Sequence, residues 1–307
     1  MRETATYKIV IIYLILCFVW GSTWLAIKMS LESFPPFLSA GIRFVIASFT
    51  IYFLMNIRGT ELQTDKEALK LYFMLGFFSF VIPFGLVYWA EQFVDSGLAS
   101  VLFAVYPFFV AIFSYFLIPN EEIGIVRIVG MILGFSGIVV IFHDSFSLTI
   151  SDYILGMFAI VLSAIMQAFM AVTIKKRGKY LNPLTMNLIP MLIAGFIMML
   201  IGLFYEGWDK VRLTEKGIIA VIYLAVIGSV VTFTSFYWLL KKVSVIIMSF
   251  IAFITPIVAI FLGWILYDET LSEKHTLGTA LVLIGVFIAN LPQNSIEKIK
   301  KMAARYF

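Results

Sequence analysis

Long apolar runs separated by short polar loops make up almost the whole chain. A helix that crosses a hydrocarbon core of about 30 Å needs roughly 20 predominantly apolar residues. By that criterion the sequence predicts spans at 8–28, 36–57, 70–93, 97–118, 123–142, 153–174, 184–204, 215–240, 245–266 and 274–291. The loops leave no room for a separate soluble domain. The pattern therefore predicts an all-α membrane protein with ten transmembrane helices.

The basic residues are distributed unevenly between the two sets of loops. Lysine and arginine accumulate in the cytoplasmic loops of membrane proteins. One set of loops and both termini carry most of them, whereas the opposite set carries Lys28, Lys210, Arg212, Lys216 and Lys274. Both termini are therefore expected to be cytoplasmic, which requires an even number of spans. The basic segment 292–307 is expected to lie as an amphipathic tail on the anionic inner leaflet.

Composition supports a membrane protein over the other classes. The 307 residues are 62% hydrophobic and 13% charged, whereas a soluble domain has about a quarter charged residues. The net charge of +4 is small and follows membrane topology, so no nucleic-acid partner is expected. The expected partners are membrane lipids and a small-molecule substrate, and an oligomer is possible but not indicated.

The sequence offers little material for catalysis or for a cofactor. Cys17 is the single cysteine, and His143 and His275 are the two histidines, one in each half of the chain. Their spacing does not match a metal site, and the chain has no phosphate-binding loop that would support direct use of ATP. We therefore expect no metal, no cofactor and no enzymatic activity.

The two halves of the chain match each other. The pair Tyr88-Trp89 recurs as Tyr237-Trp238, and Pro107 and Pro256 follow the two pairs at the same spacing. Five helices per copy is an odd number, so the second copy is expected to be inverted. Inverted repeats are typical of secondary transporters, whose substrate site lies near the bilayer midplane between the two halves.

Several ordered motifs extend this match to a known family. "FVWGSTWLAIK", "AEQFVDSGLASVLFAVYPFFVAIFSYFLIPNEEI" and "FITPIVAIFLGWILYDETLS" resemble the two EamA repeats of the drug/metabolite transporter superfamily, here at 8–142 and 153–291. The resemblance implies a ten-helix carrier of the bacterial cytoplasmic membrane, with the two repeats around a central cavity. Such carriers often export amino acids or other small metabolites. The second half has "MQAF" where the first has "WGST", so the halves need not contribute equally to the site.

These observations favour a secondary transporter that exports a small organic metabolite by alternating access. A lipid flippase and a facilitator without ion coupling are the alternatives. A lipid-facing groove would favour the flippase, whereas a closed cavity lined by Trp20, Arg43 and Tyr88 would favour a small polar substrate.

Arg43 is the clearest candidate for substrate binding. It lies roughly 10 Å below the helix start at Pro36, at a rise of 1.5 Å per residue. An arginine at such depth costs at least about 2.5 kcal/mol on insertion scales, so it is expected to face a cavity or a partner. Pro190 occupies the matching place in the second half, so the repeat does not demand the charge. The alternatives are snorkelling to the surface and locking helices through backbone carbonyls.

Trp20, Trp24 and Lys28 share one face of the first helix at intervals of four residues. This face could hold a solute by stacking and charge, or it could form an interfacial tryptophan belt with a snorkelling lysine. We favour the cavity for Trp20, which lies too deep for the belt, and the belt for Lys28. Lys28 lies at the same outer end as Glu91, and the two are the candidates for coupling or gating. Gln167 matches Trp20 in the second half, where its amide is expected to bind either another helix or the substrate.

Pro107 and Pro256 are predicted to kink their helices, because each lacks a backbone donor. A freed carbonyl is tolerated where protein or a watery cavity can satisfy it. Tyr106 and Thr255 precede the two prolines and offer hydroxyls to a substrate. Glu121 and its counterpart Glu269 are expected to cap helices or to form gate salt bridges.

Glu91 follows the first aromatic pair and is the best candidate for proton coupling. Tyr88 and Tyr237 are predicted to line the cavity where their helices end. Glu91 itself is interpreted as an interfacial residue at the outer mouth, close enough to Arg43 to pair with it and gate the site.

Overall fold

The computed structural model describes residues 2–119, 124–145, 151–289 and 291, and within these it contains helices and no strands. The helices are α1 (Arg2–Leu31), α2 (Pro36–Arg58), α3 (Lys66–Leu75), α4 (Ile82–Ala90), α5 (Ser96–Phe103), α6 (Tyr106–Leu117), α7 (Ile125–Ser145), α8 (Asp152–Arg177), α9 (Thr185–Ile201), α10 (Glu215–Ala225), α11 (Thr232–Lys242), α12 (Val245–Ser249), α13 (Ile251–Tyr267) and α14 (Glu273–Ala289). Glu121 and the predicted tail 292–307 lie outside the described residues.

Nine continuous helical segments in the described part of the chain are long and apolar enough to cross a bilayer. They are Tyr7–Leu31, Pro36–Arg58, Lys66–Ala90, Ser96–Leu117, Ile125–His143, Asp152–Arg177, Thr185–Glu206, Glu215–Lys242 and Val245–Tyr267. The predicted tenth span corresponds to α14, whose 17 residues make it shorter than these nine. The chain is a multi-pass, all-helical membrane protein.

Two spans contain a π-helical turn at matching places, and these two are called the first and second π-helical turns. Gly76–Val81 joins α3 to α4, and Val226–Val231 joins α10 to α11. A π-helical turn bonds each amide five residues back, so it breaks the regular ladder and is often found at functional sites. In the second case, the side chain of Ser229 donates to the carbonyl of Leu224 in the last turn of α10. The turns place small residues, Ser79 and Ser229 among them, in the interior of the bundle.

The proline-containing spans differ from the predicted pair of mid-helix kinks. The first span is broken just before Pro107, because α5 ends at Phe103 and α6 begins at Tyr106. Pro107 therefore lies in the first turn of α6, where a missing backbone donor costs nothing. Pro256 lies inside α13, and the break in that span comes earlier, at Phe250 between α12 and α13. Both spans are interrupted, but at positions that do not match.

Glycines bring α7 and α14 into close contact along their lengths. A methyl group built on Gly285 would lie 2.3 Å from the amide nitrogen of Gly134, and one on Gly130 would lie 2.2 Å from that of Ala289. Helices in lipid associate through such close backbone approach, because lipid supplies no hydrophobic drive between them. These glycines therefore allow the last helices of the two halves to pack closely.

The pair α2 and α9 packs in the same way. A methyl group on Gly41 would lie 2.6 Å from the amide nitrogen of Met199, and one on Gly195 would lie 2.7 Å from that of Val45. The second helix of each half thus packs against its counterpart, as the last helix of each half does.

Gly285→Ala is expected to lower the stability of the detergent-solubilised protein. Alanine improves helix propensity by about 1 kcal/mol, but overpacking a tight contact costs about 1–3 kcal/mol. The contact here is with backbone atoms, which cannot rotate away, so the cost of overpacking exceeds the gain in helix propensity. Thermal unfolding of the variant should shift to lower temperature. Ser136→Ala, at an exposed position of α7, is the control, and equal unfolding temperatures for the two variants would contradict the close-packing account.

Candidate functional site

A cavity with a volume of about 110 Å³ lies between the two halves of the bundle. Its walls come from α1, α2, α4, α5, α6, α8, α11, α12 and α13 and from the first π-helical turn. The lining residues are Trp20, Thr23, Trp24, Ile27, Arg43, Ser79, Phe84, Val87, Phe103, Tyr106, Gln167, Ala171, Phe233, Phe236, Tyr237, Met248, Ile251, Ala252 and Thr255.

Aromatic rings from both halves form much of the cavity wall. The ring of Trp20 lies 5.4 Å from that of Phe233 and 5.2 Å from that of Phe236, and its indole N–H donates to the hydroxyl of Thr232 at 3.1 Å. Trp24 contacts Phe103 edge to face at 5.4 Å. Such ring pairs stabilise one arrangement beyond their burial. The wall is therefore rigid, apolar and rich in π faces.

Arg43 supplies the charge of the cavity. Its side chain is 1% exposed, and its guanidinium lies 4.9 Å from the ring centre of Phe84. Nε donates to the hydroxyl of Ser229 at 2.9 Å, and one terminal nitrogen donates to the carbonyl of Gly228 at 3.2 Å. The other terminal nitrogen donates to the hydroxyl of Tyr88 at 3.3 Å. A guanidinium has five N–H groups, so these three bonds to described residues leave two N–H groups for a ligand.

The structure gathers most of the predicted site residues around this cavity. Trp20, Trp24, Arg43, Tyr106, Gln167, Tyr237 and Thr255 all line it. Tyr88 does not: it is fully buried behind Arg43 and orients the guanidinium from outside the cavity. The predicted lining role of Tyr88 is therefore wrong.

Gln167 and Arg43 show how the polar groups of the wall are held. The amide nitrogen of Gln167 is 3.4 Å from the hydroxyl of Ser163 on its own helix, a weak contact that leaves the amide facing the cavity. Arg43 does not snorkel, because the second π-helical turn offers it a carbonyl and a hydroxyl within the bundle.

The expected ion pair between Glu91 and Arg43 is not formed. Arg43 turns toward the second π-helical turn, and both carboxylate oxygens of Glu91 are buried without a hydrogen-bond partner among the described residues. Glu91 is 1% exposed, so its side chain is buried within the protein at the end of the span Lys66–Ala90. It follows the end of α4 at Ala90. Burial raises the pKa of the Glu91 carboxyl well above its ordinary value, although the nearby charge of Lys28 acts in the opposite direction.

Lys28 forms ion pairs instead of snorkelling. Its amino group is 2.7 Å from the carboxylate of Asp95 and 3.3 Å from that of Glu269. Glu269 also accepts bonds from the backbone N–H groups of Ser96 and Gly97, both at 3.0 Å. A carboxylate is favourable at a helix start, where N–H groups have no partner within the helix. We call this cluster of Lys28, Asp95 and Glu269 the Lys28 latch; it ties α1 to the start of α5 and the end of α13.

Lys175 makes a matching contact at the other end of the bundle. It corresponds to Lys28 in the repeat, and its amino group donates to the carbonyls of Leu240 and Val243, each at 2.5 Å. Lys241 donates to the carbonyl of Leu181. We call this contact of Lys175 with the end of α11 the Lys175 latch. It uses backbone carbonyls where the Lys28 latch uses carboxylates.

Some functional residues were not predicted from the sequence. Glu206 accepts bonds from the N–H groups of Phe37 and Leu38, both at 3.0 Å, and so caps α2 across the bundle. Ser229 and Phe84, the partners of Arg43, were also missed. The only sequence signal for Ser229 is a Gly-Ser pair inside an apolar run. In the described part of the chain, no three His, Cys, Asp or Glu side chains are grouped as metal ligands would be.

Comparison with known proteins agrees with this architecture. Over residues 7–143 and again over 154–291, the chain matches the model of the EamA-like transporter family. Across 94% of its length it is 27% identical to the protein PagO of Salmonella typhimurium, of which it covers 94%. Across 89% it is 29% identical to the uncharacterized inner membrane transporter YedA of Escherichia coli, of which it covers 87%. It is also similar in fold to a protein of known crystal structure, with a TM-score of 0.70, 18% identity and coverage of 92% of this chain and 97% of that one.

The apolar helices and the two copies of the family domain define a membrane transporter. The chain belongs to the EamA-like transporter family, with two copies of the family domain. This confirms the resemblance found in the motifs.

Glu269→Ala is expected to destabilise the protein by about 1.5–3 kcal/mol, the range for hydrogen bonds to a charged group. The change removes the acceptor for two backbone N–H groups of α5 and one partner of Lys28. Thermal unfolding in detergent measures the effect. Glu61→Ala, in an exposed loop, is the control and should stay within about 0.5 kcal/mol of the parent; an equally small effect of Glu269→Ala would contradict the capping role.

Proposed function

We propose that this protein is a secondary transporter that exports a small organic metabolite, such as an amino acid with an apolar side chain, by alternating access. The observation that carries the proposal is Arg43, a buried guanidinium with two N–H groups left over, on the wall of an aromatic cavity.

The charge of the cavity favours a carboxylate. Among the described residues that line the cavity, Arg43 alone has a formal charge. A carboxylate can accept two parallel bonds from a guanidinium. Charge attraction is stronger in a cavity of low dielectric than in water. A carboxylate that binds here would neutralise a charge that the bilayer interior disfavours.

The remaining walls suit the other parts of an amino acid. An ammonium group is attracted to aromatic faces such as those of Trp20 and Phe236. The amide of Gln167 and the hydroxyl of Thr255 offer oxygen acceptors on the cavity wall. An apolar side chain would contact rings and aliphatic groups, so the favoured solute has one carboxylate, one ammonium and an apolar body.

The volume favours a small solute over a lipid. A water molecule needs about 10–15 Å³ of such space, so about 110 Å³ holds several waters or a small metabolite. A flippase would need a groove for acyl chains, whereas this cavity is small and is lined by residues from both halves. The export of a small metabolite is therefore the better-supported alternative.

The repeat supports alternating access between inverted halves. The latches join corresponding places at opposite ends of the bundle, and the interrupted spans at Phe103–Tyr106 and Phe250 offer flexible points next to the cavity. The distribution of basic residues assigns the Lys175 end to the cytoplasm, with both termini, and the Lys28 end to the outside. YedA is named as an inner membrane transporter, which supports the bacterial cytoplasmic membrane as the location.

The substrate can be found by a thermal-shift screen of the purified protein against amino acids and common metabolites. Each hit is then tested for flux in proteoliposomes. We expect stabilisation by zwitterions with apolar side chains, and none by cations that lack a carboxylate. Stabilisation by such cations with no response to carboxylates would contradict the proposed substrate class.

Arg43→Ala is expected to abolish flux of the identified carboxylate substrate, because the variant loses both charge and bidentate geometry. Arg43→Lys keeps the charge but not the planar fork, and is expected to retain weak binding with a raised KM. Flux in proteoliposomes measures both. Arg212→Ala removes an exposed arginine far from the cavity and serves as the control. Flux by Arg43→Ala at the control rate would rule out this site.

A further inference from the structure

Glu91 is a buried acid that the transport site does not use. Both carboxylate oxygens lack a hydrogen-bond partner among the described residues, and the side chain is 1% exposed. A buried ionised carboxylate without partners is strongly disfavoured, and such a group is normally protonated instead. The position therefore calls for a functional explanation.

The repeat shows that the scaffold does not need an acid here. Leu240 occupies the matching place in the second half, where its carbonyl accepts the bond from Lys175. Asp95 and Ser244 also match, and each directly precedes a helix, α5 and α12. The two lysines therefore contact corresponding segments, and Glu91 is an acid that has no counterpart in the second half.

Charged and titratable groups face Glu91 from several elements. Lys28 of α1 and Arg43 of α2 favour its ionised form, whereas Glu269 beyond α13 disfavours it. On its own segment, Tyr88 precedes Glu91 and accepts a bond from Arg43, and Asp95 follows Glu91 and binds Lys28. From α8, Gly156 packs against Ala90, and Asp152 in the first turn of that helix is exposed.

We propose that Glu91 is the proton-binding residue of a gate at the Lys28 end, which closes with Glu91 protonated and opens with Glu91 ionised. As the Lys28 latch closes and excludes water from Glu91, one carboxylate oxygen takes a proton from the solution at that end. Opening returns water to Glu91, and the proton leaves to the same solution. The interpretation that this gate controls export according to the external pH rests on the proposed function, but the gate itself can be tested without a substrate.

The direction in which pH shifts the closed-to-open ratio follows from the two protonation states. The carboxyl has a raised pKa when the latch is closed and an ordinary one, about 4.3, when water reaches it. Between these values the closed state binds one more proton than the open state. Each unit rise in pH within this window therefore shifts the closed-to-open ratio about tenfold toward open.

Spin-label distances across this end test the proposal. Labels are placed at Gln92→Cys and Glu273→Cys, both exposed, in a Cys17→Ala background of the full chain in liposomes. The distance distribution is expected to be short and narrow at pH 5 and to gain a component several ångströms longer as the pH rises to 8.5. Glu91→Gln and Glu91→Leu, which cannot ionise, are expected to keep the short distance at every pH.

Asp95→Asn provides a second, independent variant. It removes the shorter of the two ion pairs of Lys28, so the longer component is expected to appear already at pH 5. A distribution in the parent that does not change with pH, or one that changes in Glu91→Gln as it does in the parent, would overturn the proposal. A failed flux assay with an intact pH response would instead count against the transport function alone.

Discussion

A bilayer interior offers no hydrogen-bond partners, so every polar group within the bundle must be satisfied by the protein itself. This constraint explains why two helix starts and one irregular turn in the interior have partners from the other half. Glu206 caps α2, Glu269 caps α5, and Arg43 bonds the second π-helical turn. The same contacts join the two halves, so the bonds that satisfy the backbone also bring together the walls of the cavity.

Arg43 illustrates how the constraint creates a site. An arginine at this depth costs several kilocalories per mole unless it has partners. The second π-helical turn supplies a carbonyl and a hydroxyl, and the ring of Phe84 covers the guanidinium. These partners hold the charge without neutralising it. An anionic group in the cavity would complete the coordination, which is why a carboxylate is the favoured ligand chemistry.

The two latches show that a repeated scaffold need not be functionally symmetric. Lys28 binds carboxylates and Lys175 binds backbone carbonyls at corresponding places. Ionic partners respond to protonation and to salt, whereas carbonyls do not. An acid buried beside the ionic latch adds a further titratable group at that end. The difference between the halves therefore lies in side chains at the ends of helices, while the helix packing is shared.

The sequence by itself determined the membrane class, the approximate spans, the internal repeat and the family, because these depend on run length and on motifs that recur at fixed spacing. It also identified Trp20, Arg43 and Gln167, since polar or bulky residues deep in apolar runs stand out. It did not reveal the surroundings of Tyr88, Lys28 and Glu91, because these depend on which groups other helices bring beside them. The bonds of Arg43 to Ser229 and of Lys28 to Glu269 join residues far apart in the chain, and only tertiary packing decides such pairs.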